Sequence, residues 1–342
     1  MGGIPAGAHS RIRILGIAPA RSGGGTNEEA MSDSNAGNGA SDWNGAELVG
    51  VRVAVLGCGA LGSALALELA AAGAVPILWS RTAGRAQALL TRLEGEGEVA
   101  GSAEIAIEDA ELVLLAVADD ALPGFAEELA AGLSAAAASE RAPAGRAVLH
   151  LNGLRGPAVL EPLAKLGVPV GKAHPLLAVP PESGAPRTGR FRGASFAIAG
   201  DPEALGWARR LCGAFGARVL ELQGDAEEAS ARLHAAASLV SGGLVALFDL
   251  ALEAAGDRGA REPLLALVRS TLENLEETAP SEALTGAIAR GSLRTVDRHL
   301  QVLDPPARAA YRTLGLRMLE LARERGAGKG ADALALARLL GA

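Results

Sequence analysis

Gly57-Cys58-Gly59-Ala60-Leu61-Gly62 is a G-x-G-x-x-G run. In that spacing the first glycine permits a tight turn and the second lets a pyrophosphate approach the backbone. The third lets a helix pack close to its strand, and the helix N-terminus supplies N–H donors to an anion. With 45 glycines among 342 residues, roughly one such match arises by chance, so the flanks decide its meaning. They fit: Val51–Leu56 is an apolar strand-like run directly before it, and Ser63–Ala72 is an uninterrupted helix former directly after it. Cys58 reads as a small filler rather than a nucleophile. At the end of the next strand stand Ser80, Arg81 and Thr82. A domain selective for NAD places there a carboxylate that would repel a 2′-phosphate, whereas hydroxyls and a guanidinium attract one. The expected cofactor is therefore NADP(H), with Arg85 as a further phosphate candidate.

The other groups able to do chemistry sit just past apolar runs, where doubly wound sheets bind their ligands. Ala118 and Asp119 follow Leu112–Val117, and His150 and Asn152 follow Val148. Lys172 and His174 follow Val168. Because strand side chains alternate with period two, each of the last two pairs shares a face. Ala118, Asp119 and Asn152 are expected at the cofactor, and His174 near the reacting centre. An imidazole suits that place because its ordinary pKa, near 6.5, is tuned by modest surroundings. No Cys/His spacing suggests a metal.

These groups need an alternating strand and helix scaffold. Strands are expected at Val51–Leu56, Val75–Trp79, Leu112–Val117, Val148–Leu151, Val168–Ala173 and Ser195–Ala199. Helices are expected at Leu61–Ala72, Gly84–Leu93, Leu122–Leu133 and Pro157–Leu166. Near-continuous apolar strands such as LVLLAV indicate a parallel sheet covered on both faces. After Gly200 the pattern turns helical, opened by Asp201-Pro202. Asp225 and Glu228 start a long helix in which Leu233, Ala237, Val240, Leu244, Leu247 and Ala251 recur at helical spacing. The expected fold is α/β: an N-terminal Rossmann-type doubly wound parallel sheet, then an all-α C-terminal dimerisation domain. The expected divisions are a disordered extension at 1–45, with Met31 as an alternative start, a nucleotide domain at 46–200 and a helical domain at 201–342.

Composition narrows the partners. Lys plus Arg total 32 against 39 acidic residues, a net charge of −7, which provides no field to attract phosphate backbones. Aromatics at 3% leave few stacking platforms, so no nucleic-acid partner is expected. Two cysteines make no disulfide framework and fit a cytoplasmic location. The longest uncharged apolar stretch, His234–Phe248, falls short of the roughly 20 residues a spanning helix needs, so no membrane partner is expected.

Together, GCGALG, SRT, AVADD, HLNG, GVPVGKAHPL, HAAASLVSGGLVAL and ALTGAIARG with TVDRHL resemble a bacterial family of Rossmann-like oxidoreductases whose C-terminal module is a domain of unknown function. The N-terminal half is similar to pyrroline-5-carboxylate reductase and the wider 6-phosphogluconate dehydrogenase-like group. The resemblance implies NADP binding, a helical dimerisation domain and an active cleft between the two. It carries the family's His-Pro onto His174-Pro175, its helix histidine onto His234, and its two turns onto Thr285-Gly286 and Arg290-Gly291. His299 matches its final histidine. Leu177, Ala178, Gly242, Ala287 and Ser292 depart from its pattern.

The function expected is reduction of a small C=O or C=N substrate by NADPH in the interdomain cleft. His174 would donate the proton or polarise the substrate, with His234 and Thr285 shaping the pocket. The long helix holds no Lys-x-x-x-Asn pair of the kind found in hydroxyacid dehydrogenases. An alternative reading is an NADP(H)-binding regulatory or sensor protein without turnover, motivated by the polar groups missing at Gly242 and Ser292.

Overall fold

The computed structural model describes residues 13–15, 48–137, 146–180, 187–256, 258–326 and 331–341. The chain divides into two compact units, Met1–Ala237 and Ser238–Ala342.

The first unit alternates strands and helices. These are β1 (Arg13–Leu15), β2 (Arg52–Leu56), α1 (Ala60–Ala71), β3 (Val75–Trp79), α2 (Ala83–Arg92), β4 (Glu98–Val99), α3 (Ala103–Glu108), β5 (Leu112–Leu115), α4 (Leu122–Ala137), β6 (Ala147–His150), α5 (Glu161–Ala164), β7 (Val170–Pro175), β8 (Ser195–Gly200), α6 (Pro202–Ala214) and β9 (Arg218–Glu221). They build one nine-stranded sheet in the order β1-β9-β8-β7-β6-β5-β2-β3-β4. The strands from β2 to β7 are parallel; β7 meets β8 antiparallel, β8 runs parallel to β9, and β1 pairs antiparallel with β9. The strand order reverses between β2 and β5, where chain connections leave on opposite sides and open a crevice at the carboxyl ends.

Period-two alternation sends Val53 and Val55 to one face and Ala54 and Leu56 to the other. The first face packs on Leu65 and Leu69 of α1 and on Trp207 and Leu211 of α6. The second packs on Ile107 of α3 and on Phe125 and Leu129 of α4. Burial on both faces is why these strands are apolar throughout.

This corrects the domain boundary expected at residue 201. Helix α6 covers the sheet and β9 extends it, so the first unit runs on through Ala237. The strand expected at Val168–Ala173 lies at Val170–Pro175, which puts His174 inside β7 rather than beyond it. Of the segment expected to be disordered, Arg13–Leu15 form a strand registered against Glu221, Leu220 and Val219; the remainder of 1–45 lies outside the described residues.

The helix opened by Asp225 is interrupted. Helix α7 (Ala226–Val240) ends and α8 (Gly242–Ala255) begins on either side of Ser241, because consecutive glycines at 242 and 243 are poor helix formers. The second unit continues with α9 (Arg261–Glu277), α10 (Pro280–Ala283), α11 (Leu293–Val302), α12 (Pro305–Glu324) and α13 (Ala331–Leu340). Its core is Ile288, Val296, Leu300, Leu319, Leu336 and Leu340. Nearby, His299 Nδ1 and the Tyr311 hydroxyl lie 2.8 Å apart, joining α11 to α12.

Within Ala226–Ala255 an 18-residue window reaches a mean hydropathy of 1.8, enough by length and composition alone to cross a membrane, a test that core helices of soluble proteins also pass.

Candidate functional site

The glycine run forms the turn its spacing predicts. Gly57 follows β2 with φ +115°, a conformation that L side chains rarely adopt, and its N–H donates to Trp79 O at 2.8 Å. A Cβ at Gly57 would lie 2.4 Å from Ala116 O, and one at Gly62 would lie 1.8 Å from Gly57 O. Both positions are therefore held to glycine by backbone packing. A Cβ at Gly59 would meet nothing within 4 Å; there the missing side chain leaves open space. Gly59 is the N-cap of α1, with no side-chain cap and no acidic residue in the first turn. The first N–H groups of α1 consequently face that space without an intrahelical acceptor. Close packing at the first and third glycines and room at the second are what a pyrophosphate at a helix N-terminus requires. The residues present fit a dinucleotide.

The turn opens into a cavity of about 700 Å³ at the carboxyl ends of β2, β3, β5 and β6. Gly57, Cys58, Gly59, Ala60 and Leu61 line it on one side, Ser80, Arg81, Thr82 and Arg85 at one end, and Ala118, Asp119 and Asn152 at the other. Gly62 is absent from the lining; its part is the tight contact of α1 with the turn. Arg81, Thr82 and Arg85 are exposed, and Thr82 is the N-cap of α2, whose first turn is also free of acidic residues. Two guanidiniums and a second helix N-terminus thus make one end of the cavity electropositive.

Cys58 is buried, and burial pushes its thiol up to about 11. The filler reading therefore holds physically, because a neutral thiol is a poor nucleophile. Asn152 Nδ2 donates to Asp119 Oδ1 at 2.6 Å, while Asn152 Oδ1 accepts from Arg155 N at 2.8 Å. This joins the loop after β5 to the loop after β6 across the crevice.

Sequence reasoning missed the apolar wall. Trp79 and Phe125 stack with centroids 5.5 Å apart and planes 8° from parallel, both on the cavity. Trp79 ends a recognisable strand, but nothing local marks Phe125 of α4 as its partner.

Behind the cavity lies a polar cluster, and the structure divides its members. His150 is 0% exposed. Asn152 N donates to His150 Nδ1 at 3.2 Å, and His150 Nε2 donates to Gly156 O at 3.0 Å. Burial, foremost, and then the Lys172 charge push its pKa down to about 3, so the ring is a neutral structural strut. Lys172, 1% exposed, donates to Gly153 O at 2.7 Å and Arg155 O at 2.9 Å, pinning the loop after β6. Burial lowers its pKa to about 8.

His174 faces differently. Its Nδ1 donates to Leu151 O at 2.8 Å, which leaves Nε2 outward beside Gly153. Burial, and secondarily the charge of Lys172, lowers its pKa. His234 of α7 meets it edge to face, with centroids 5.8 Å apart, and Glu227 of the same helix accepts from Gly156 N at 2.9 Å. The two expected histidines therefore come together. Neither lines the cavity itself; they stand behind Leu151 and Asn152, which do. Thr285 belongs to the second unit, exposed in the loop after α10. Gly242, one of the departures from the family pattern, opens α8, and a Cβ there would meet nothing within 4 Å.

Comparison with known proteins agrees with this architecture. Residues 52–138 match the family described as NADP oxidoreductase coenzyme F420-dependent, and residues 194–318 match the family described as Domain of unknown function (DUF2520). The chain thus carries an NADP-oxidoreductase domain followed by a DUF2520 domain, as the sequence resemblance implied. No curated protein matches it. Among solved structures, a Bacteroides fragilis protein provisionally classed as an NADP oxidoreductase superposes with TM-score 0.61 at 20% identity, over 79% of this chain and 98% of that one. The Aspergillus terreus reductive aminase, in complex with NADPH and ethyl levulinate, gives 0.54 at 19% identity, over 84% and 99%. The Streptomyces aurantiacus imine reductase gives 0.53 at 20% identity, over 85% and 99%. At these identities the likeness is one of fold.

Proposed function

We propose that this chain, an NADP-oxidoreductase domain joined to a DUF2520 domain, binds NADP(H) along the β2–β5 crevice and reduces a small C=O or C=N compound. The observation that carries the reading is the single cavity running from the glycine turn past Arg81 to Asn152. It has a length of main-chain donors at one side, a basic end and an apolar wall. The amides at Gly59–Leu61 would hold the pyrophosphate, and Ser80, Arg81, Thr82 and Arg85 the 2′-phosphate. Ala118, Asp119 and Asn152 would border the nicotinamide, which when bound supplies a hydride. His174 and His234 would stand on the substrate side.

Arg81→Glu tests the 2′-phosphate end. Reversing the charge should weaken NADPH by about 100-fold while leaving NADH within about threefold, since only the former carries the phosphate. Fluorescence titration with each nucleotide measures both, and equal weakening would remove the assignment. Stoichiometric NADPH binding with no oxidation over a panel of ketones and imines would favour the sensor reading.

We further propose that the protein is a cytoplasmic homodimer built on the helical unit. Leu239, Val240 and Val245 are 76%, 74% and 71% exposed, and Leu267, Leu272 and Leu275 of α9 are exposed as well. So many apolar side chains on neighbouring helices is more than a soluble monomer usually shows. A second copy would cover them, with Gly242 and Gly243 allowing close backbone approach. Sedimentation should report a dimer, and Val240→Lys with Val245→Lys should give a monomer that still binds NADPH. A wild-type monomer would overturn it.

A further inference from the structure

The loop from Leu151 to Gly156 has glycine at positions 153 and 156, and packing enforces both. A Cβ at Gly153 would lie 2.3 Å from His234 Nδ1, and one at Gly156 would lie 2.8 Å from Glu227 Oε1 and 3.0 Å from the backbone of Ala226. Glycine leaves the backbone free to turn, so the course of this loop must be imposed by its partners.

Those partners come from β6, β7 and α7. His174 Nδ1 donates to Leu151 O, Asn152 N donates to His150 Nδ1, and Gly156 N donates to Glu227 Oε2. Lys172 holds the middle, donating from Nζ to Gly153 O at 2.7 Å and to Arg155 O at 2.9 Å.

A buried ammonium is an expensive way to fill this space. Lys172 is 1% exposed, and burial opposes its charge most, with the Glu227 carboxylate acting the other way. A methionine of similar length would pack there without desolvating a charge. What methionine could not do is hold the two carbonyls beside Asn152.

The consequence falls on Asn152. Gly153 follows it in the chain, and Arg155 N donates to its Oδ1 at 2.8 Å, so both residues that Lys172 holds are themselves tied to Asn152. With Oδ1 engaged in this way, Nδ2 donates to Asp119 Oδ1 at 2.6 Å. An amide has two N–H groups and two lone pairs, so one of each remains for a ligand. Asn152 and Asp119 line the cavity, whereas Lys172 stands outside the lining.

We propose that Lys172 is a positioning residue for the nucleotide: by holding Gly153 O and Arg155 O from behind, it fixes the Asn152 amide at the nicotinamide end of the cavity without itself touching the ligand. This rests on the nucleotide reading above and adds to it a residue beyond the cavity wall. Because Asn152 stands opposite the basic end, loss of its placement should affect the two halves of the nucleotide unequally.

The test compares NADPH with adenosine 2′,5′-bisphosphate, which carries the adenosine end and lacks the nicotinamide, on the full chain at pH 7. Lys172→Met should weaken NADPH about tenfold and leave the bisphosphate within about twofold. Asn152→Ala should do the same, and the double variant should bind no more weakly than either single one, because one residue acts through the other. Equal weakening of both ligands, an unchanged NADPH affinity or additive losses would each overturn the positioning role. A second readout needs no nucleotide. In protein labelled with ¹⁵N at asparagine, the side-chain amide signal missing from Asn152→Ala should exchange with solvent at least about tenfold faster in Lys172→Met than in the wild type. If the wild type binds neither ligand, the nucleotide reading fails, and this signal alone decides whether Lys172 holds Asn152; an unchanged exchange rate overturns it. Should Lys172→Met fail to fold, Lys172→Gln, uncharged and a bond shorter, takes its place in both measurements with the same expectations. Loss of the fold in both variants would confine Lys172 to folding and overturn its positioning role.

Discussion

Gly62→Ala should cost the fold and nucleotide binding together, whereas Gly59→Ala should weaken binding strongly and leave the fold nearly untouched. The two glycines sit three residues apart in one turn but are glycine for different reasons. At Gly62 a methyl carbon would be 1.8 Å from the Gly57 carbonyl oxygen and 3.1 Å from Ala116 Cβ. The first obstacle is backbone and cannot rotate aside, so α1 must lift from the turn. Overpacking of this kind costs about 3 kcal/mol, against which the better helix propensity of alanine returns roughly 1 kcal/mol. At Gly59 the backbone is extended, with φ −80° and ψ −168°, which alanine adopts freely, and a Cβ meets nothing. Alanine is a poorer N-cap than glycine, so the change in stability should stay within about 1 kcal/mol. The added methyl nonetheless occupies the space where a pyrophosphate would approach the amides, and NADPH affinity should fall by about 100-fold. Urea unfolding and nucleotide titration of both variants separate the cases. If Gly59→Ala bound NADPH as the wild type does, the open space would not be a phosphate site.

That contrast marks where the sequence could be read and where it could not. The G-x-G-x-x-G run between a strand and a helix announced the turn, and the absent carboxylate at 80–82 announced the basic end, because both depend on local spacing. Strands buried on both faces were equally legible as uninterrupted apolar runs. Helix α6 was found but misplaced. Asp201-Pro202 starts a helix whichever body that helix joins, and Trp207 and Leu211 do not reveal that they will pack on a sheet. Strand β9 escaped notice because Arg218–Glu221 is short and alternates in polarity, and its place beside β8 is a long-range pairing. The polar cluster shows the same limit at the level of single side chains. Period two paired His150 with Asn152 and Lys172 with His174. Only the loop after β6, returning Gly153, Arg155 and Gly156 to the strand ends, decides which are satisfied. His150 and Lys172 find their partners there and become struts; His174 spends one nitrogen on Leu151 O and keeps the other.

Stability should fall on mild acidification, with His150 as the main single cause. The ring is fully buried between the Asn152 amide, which donates to it, and the Gly156 carbonyl, which it donates to. A second proton on Nδ1 would face an N–H donor rather than an acceptor, in a place without water and near the Lys172 charge. Its pKa is accordingly about 3 in the folded protein, against about 6.5 in the unfolded chain. The sign follows from proton counting: between those values the unfolded chain binds a proton that the native ring refuses, so the unfolded state gains as pH falls. The loss begins below about pH 6.5 and grows until about pH 3. From pH 7 to pH 4 it should amount to roughly 3 kcal/mol from this one group. His174, whose pKa is also lowered, adds to it in the same direction. His150→Gln supplies the control, since a glutamine amide can accept from Asn152 N and donate to Gly156 O without titrating. Denaturant unfolding at a series of pH values should show the variant losing much less stability than the wild type between pH 6.5 and pH 4. Parallel curves would mean that His150 becomes charged within the folded protein, and the strut between β6 and its loop would then not be the neutral hydrogen-bonded ring described here.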